Sequence, residues 1–124
     1  MKLKRFTPSD LVSISAWHVA HGLPPVPAEI VPKVGLVAPG VAALFIYQTD
    51  SSIALIEGLI SNPAAPLRDR IEAIDQLMDA CTELAFSMGF KQVIGFPKDN
   101  GTLKRAKRHS YEDLGPCRMI LKRL

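Results

Sequence analysis

The stretch LISNPAAPLRDRIEA, residues 59–73, carries an apolar run through a short turn into a helical pattern. The first turn of a helix leaves backbone N–H groups without partners and carries positive partial charge. A strand entering a helix this way is therefore a candidate anion site. Arg68 and Arg70 stand at that start and can add charge-assisted contacts to a phosphate. The turn holds Pro63 and Pro66 and no glycine. Proline has no N–H, but both prolines precede Arg68, so donors at Asp69 to Glu72 are expected to remain available. The competing reading is a helix start whose arginines are only solvated.

Glu57 is the one ionisable residue in IALIEGLI, residues 53–60. A carboxylate among apolar neighbours is poorly solvated and accepts a proton more readily than one in water, which suits a general base. Alternatively, Glu57 lies at the exposed rim of a sheet or pairs with an arginine. His18 and His21, three residues apart, can share one helix face as metal ligands do, but no third ligand follows at a suitable spacing. No metal site is assigned, and these imidazoles line a groove or pack. Lys104, Arg105, Lys107, Arg108 and His109 form a basic cluster. Without interleaved aromatics it reads as a solvated helix face before it reads as a nucleic-acid grip. There is no GxSxG nucleophile elbow and no lysine after a glycine-rich phosphate loop.

These groups need elements to position them. Residues 2–6 alternate loosely as a first strand. Thr7, Pro8 and Asp10 mark a helix start, and Leu11, Ile14, Trp17, His18 and His21 follow at helical steps up to Gly22. The segment GLPPVPAEIVPKVG, with four prolines, reads as extended coil, either a binding surface or a plain connector. VAALFIY (41–47), the turn Thr49-Asp50-Ser51-Ser52 and IALIEGLI (53–60) form a hairpin, and Gly58 signals a bulge or a close backbone approach. Leu67, Ile71, Ile74, Met78, Cys81, Ala85 and Met88 then recur by three or four residues, one apolar stripe along a helix of about six turns. QVIGF (92–96) is a short strand and residues 102–109 a basic helix. Residues 111–114, Gly115-Pro116 and 117–124 form a terminal hairpin. A strand-helix-strand crossover implies one parallel pair, so the class is α/β with a mixed sheet.

The 124 residues suit one domain; 48% are hydrophobic and 22% charged, enough for a core and unlike a disordered chain. A net charge of +3 favours anionic partners only mildly. The first residues lack the apolar core of a signal peptide, and no apolar run approaches the ~20 residues of a membrane helix, so a cytoplasmic protein is expected. Cys81 and Cys117 form no CxxC and read as buried thiols.

The order of elements resembles the GNAT N-acetyltransferase fold, in which a hairpin strand feeds a long helix whose start binds the pyrophosphate of acetyl-CoA. The family signature R/Q-x-x-G-x-G/A falls here on Arg68, Asp69, Arg70, Ile71, Glu72 and Ala73. Arg68 and Ala73 match; Ile71 replaces the central glycine. Either its side chain crowds the backbone a diphosphate must approach, or it faces the core with the apolar stripe and leaves the donors clear. The resemblance implies a mostly antiparallel sheet with a central, splayed parallel pair flanked by helices, acetyl-CoA as cofactor, an amine or protein acceptor, and Glu57 as base. The tyrosine that many members use to protonate the leaving thiolate falls on Ala106, Tyr111 becomes a packing aromatic, and Asp99 or Asn100 takes the family's asparagine site. Tyr47, Thr49, Asp50, Ser51, Asn62 and Pro63 resemble a narrower pattern in small GNAT-like proteins of bacteriophage genomes. That likeness admits a second reading, a catalytically inactive accessory protein that binds a protein partner. An edge strand or the terminal hairpin could also pair two copies.

Overall fold

The computed structural model describes residues 1–124. Strand β1 is Lys4–Arg5. A single 3-10 turn, Pro8–Asp10, leads into helix α1, Leu11–Ala20, and the Asp10 carboxylate accepts hydrogen bonds from the Thr7 N–H and Lys4. Strands β2 (Val34–Ala38), β3 (Ala42–Tyr47) and β4 (Ile53–Ser61) follow. Helix α2 is Leu67–Ser87, strand β5 Gln92–Ile94 and helix α3 Asn100–Arg108. The sheet runs β1-β2-β3-β4-β5, antiparallel except for the parallel pair β4–β5. It is the expected α/β arrangement, a mixed sheet with helices on both faces.

Helix α2 covers one face, with the end of α3 against it. Ala73, Leu77, Met78, Cys81 and Ala85 of α2 pack on Leu36, Leu44, Ile46, Ala54 and Ile56, and Ala106 of α3 joins the same cluster. The α2 stripe enters the core only from Ala73 onward; Leu67 and Ile71 are exposed. Ile71 therefore stays out of the core, since the buried positions of α2 begin only at Ala73. On the other face α1 contributes Ile14 and Trp17 to a cluster with Val37, Ala43, Phe45 and Ile60.

The sequence reading missed β2. Gly35 interrupts its apolar run, and the prolines before it obscure its start. Packing explains the glycine: a Cβ there would lie 2.6 Å from Cδ1 of Phe45. Two further expectations are corrected. The terminal hairpin is absent, since residues 111–124 form no regular structure. Consequently β5 is an edge strand, and the parallel pair lies at one side of the sheet, not at its centre. The expected bulge is present: Gly58 has φ +76°, and the β3–β4 register slips between Ala43 and Phe45.

Beyond β5, Asp99 caps α3 by accepting from the Thr102 N–H at 2.7 Å. His109 bridges two carboxylates of α2, with Nδ1 2.7 Å from Asp79 and Nε2 3.0 Å from Asp75. The Asp75 hydrogen bond is the main cause holding the His109 pKa above its ordinary value of 6.5, with Asp79 adding to it against a smaller desolvation. A folded-state pKa raised in this way stabilises the fold fully below the unfolded value and loses that contribution as pH rises through the folded value. The stability difference between the native chain and His109→Gln, measured by urea denaturation, is therefore expected to be largest near pH 5.5 and to shrink by pH 9. A difference independent of pH would show that the bridge is not ionic.

Candidate functional site

Strands β4 and β5 pair over three positions only, Ile53–Gln92, Ala54–Val93 and Leu55–Ile94. From residue 56 onward β4 runs six residues without β5 beside it. Glu57 sits where the strands part. Its Oε1 accepts a hydrogen bond from the Phe96 N–H at 2.8 Å, so the carboxylate clasps the two strands at the apex of the split. Glu57 is half-buried and forms no ion pair, which excludes pairing with an arginine. Gly58 follows at once, and its positive φ turns the strand so that Ile60 returns to the α1 face.

At the far end of β4, Asn62 builds the turn into α2. Its N–H donates to Val41 O at 2.7 Å, its Nδ2 to Gly40 O at 3.0 Å, and its Oδ1 accepts from the Ala64 N–H at 3.0 Å. The turn is thereby fastened to the β2–β3 connection. His21 is drawn in as well, its Nε2 donating to Ser61 O at 2.8 Å, while His18 Nδ1 lies 2.9 Å from Ile14 O. Both imidazoles serve backbone carbonyls, and no three potential ligands gather around a metal position.

Pro66 occupies the N-cap of α2 and has no side chain able to cap it. The Arg70 N–H reaches Pro66 O at 3.1 Å, and later amides have intrahelical acceptors. The free donors are those of Leu67, Arg68 and Asp69. They lie earlier than the span from Asp69 to Glu72 expected from sequence, because the helix begins at Leu67. Arg68 is exposed, Asp69 and Arg70 half-buried, Glu72 exposed and Ala73 fully buried. Glu72 Oε1 accepts from Gln76 Nε2 at 3.1 Å. Nε of Arg70 is shielded from solvent and has no acceptor. Ile71, 41% exposed, leans toward the N-terminal turn as helical side chains do, and so borders the free amides.

Of the basic cluster, Arg105 and His109 turn to α2, Arg105 Nε lying 3.7 Å from Asp75. Lys104, Lys107 and Arg108 point to solvent. Tyr111 packs on α2, its hydroxyl 2.8 Å from Thr82 Oγ1, and burial is the main cause raising its pKa. Cys81 is fully buried beside Leu44 O, and burial pushes its thiol up to about 12, which makes it inert; Cys117 is exposed, contrary to expectation.

An α/β sheet with a parting parallel pair, a bulge on the inner strand and an uncapped long helix is the GNAT fold. Solved structures agree. The chain superposes with TM-score 0.73 at 16% identity on a provisionally assigned acetyltransferase from Agrobacterium tumefaciens str. C58, covering 98% of this chain and 100% of that one. An acetyltransferase from Trypanosoma brucei matches with TM-score 0.70 at 18% identity over 98% of each chain. The aminoglycoside N-acetyltransferase AAC(6')-Iy, solved in complex with CoA, matches with TM-score 0.58 at 16% identity over 99% of this chain and 100% of that one. No protein-family model and no curated protein sequence matches the chain. No helix is long and apolar enough to cross a membrane.

Proposed function

We propose that the chain is an acetyl-CoA-dependent N-acyltransferase acting on an amine. The observation that carries this reading is the split between β4 and β5, opening toward the free amides of Leu67, Arg68 and Asp69. The residues present fit the cofactor: three unpaired N–H groups and the acceptorless Nε of Arg70 suit a diphosphate, and Arg68 stands beside them. Asp69, Ile71, Glu72 and Ala73 complete the turn, Ala73 by packing it onto the sheet and Ile71 by narrowing the approach. Bound there, acetyl-CoA would supply an activated acyl group to the amine and leave as the CoA thiol.

Glu57 acts as the base. With Oε1 fixed by the Phe96 N–H, Oε2 is free to take a proton from an ammonium group, directly or through water. Ala106 is buried in the α3 interface, so no side chain at that position donates a proton to the departing sulfur. The phage origin and a host-cytoplasmic location rest on the likeness of Tyr47, Thr49, Asp50, Ser51, Asn62 and Pro63 to the phage pattern.

Acetyl-CoA at 100 times its Kd is expected to add ~2.7 kcal/mol of stability, read as a rise in Tm. Arg70→Ala should reduce that rise. Ile71→Gly should lower the unliganded Tm, since glycine costs a helix interior about 1 kcal/mol, yet tighten acetyl-CoA binding by opening the amides. No shift at millimolar acetyl-CoA would overturn the reading. It would favour instead a non-catalytic GNAT-fold protein that binds a protein partner. One observation speaks for that alternative: a shallow apolar recess of about 490 Å³ on the outer side of α1, where Val12 and Val19 are exposed.

A further inference from the structure

The two sheet faces are covered unequally. On the face opposite α2, the cluster built on Ile14 and Trp17 reaches Val37, Ala43, Phe45 and Ile60 and stops. Side chains two apart along a strand share a face, so Tyr47 lies on this face with Phe45. Its register partner is Leu55, whose own partner is Ile94. Tyr47, Leu55 and Ile94 thus form an apolar row across three strands, spanning about 10 Å at the usual strand spacing. No helix lies over it: Tyr47 is 37% and Ile94 39% exposed. Glu57 is two residues beyond Leu55 on the same face, about 7 Å along the strand, opposite Phe45 and clasped to Phe96, itself 41% exposed.

We infer that this open face binds the acceptor, and that the acceptor is a primary amine carried on an apolar aryl or alkyl body. The inference rests on the acyltransfer reading for the fate of the amine, but the site stands on its own chemistry. Glu57 is a carboxylate with one N–H partner and no cation partner, so a cationic head complements it. Tyr47 lies close enough for the Glu57 charge to add to burial in raising its phenol above the ordinary range, which keeps the hydroxyl protonated beside the acid. Its ring offers a face to an ammonium group. The row itself has only hydrocarbon and one hydroxyl to offer. A sugar or polyamine would leave its further polar groups desolvated there without partners. The 7 Å offset suits a head separated from its apolar body by two or three carbons.

Binding is tested without cofactor, by titration calorimetry at pH 7 on the full chain. The probes are 2-phenylethylamine, 2-phenylethanol (the same body without charge) and spermidine (charge without an apolar body). The amine is expected to bind about tenfold or more tighter than either comparison. Glu57→Gln keeps an amide oxygen for the Phe96 N–H, so it should fold normally and bind amine and alcohol alike. Ile94→Ser should weaken the amine and the alcohol together. Equal binding of amine and alcohol by the native chain, a retained preference in Glu57→Gln, or tighter binding of spermidine would overturn the inference. An acetyl-CoA shift in Tm without amine binding would also overturn it, leaving the acyltransfer reading intact. Amine binding without an acetyl-CoA shift would uphold the site and sink acyl transfer.

Discussion

Phe45→Ala is expected to destabilise the chain by about 3–5 kcal/mol, the usual loss for truncating a buried aromatic. The ring is 4% exposed and meets Phe6 edge-on, centroids 5.0 Å apart and planes at 71°. It also lies across two glycines, Gly35 on β2 and Gly58 on β4. A Cβ on the first would come within 2.6 Å of the ring and on the second within 3.1 Å. Alanine would leave both glycine backbones without the side chain that covers them. At about 4 °C per kcal/mol for a domain of this size, Tm should fall by more than 10 °C. Phe45→Leu should recover part of the loss. A fall in Tm of only a few degrees for Phe45→Ala would show that the ring is not the centre of this cluster.

Gly58→Ala is the second large effect. The φ of +76° costs a side-chain-bearing residue about 1–2 kcal/mol, and pressing a methyl against Phe45 adds about 1–3 kcal/mol. The chain can escape by giving up the bulge, but a one-residue slip would turn Ile60 away from Ile14 and Trp17. It would also displace Asn62 and the start of α2, which follow on the same strand. The variant should therefore lose both stability, in a denaturant titration, and acetyl-CoA affinity, in calorimetry. Unchanged acetyl-CoA affinity in a folded Gly58→Ala variant would show that the bulge serves packing alone.

Periodic and punctuating residues made much of this arrangement legible beforehand. Six turns of three- and four-residue apolar spacing identified α2, the Thr49–Ser52 turn identified the β3–β4 hairpin, and Gly58 marked a bulge, because each signal is local. Packing decided the rest. Gly35 looks like a strand breaker until Phe45 is seen to need its missing side chain. Ile71 fits the apolar stripe by spacing, but burial along α2 begins only at Ala73, and Ile71 stays exposed one turn from the free amides. Glu57 could be read from its neighbours as an acid in apolar surroundings; its bond to Phe96, 39 residues away, follows only from the β4–β5 pairing. His109 and Asp75, 34 residues apart, meet because the end of α3 lies against α2. Amino-acid sequence sets which stretches become helix or strand and which side of each is apolar, through short-range sterics and spacing. Where those sides end, and what they leave uncovered, depends on contacts between residues distant along the chain, which only the assembled sheet and helices bring together.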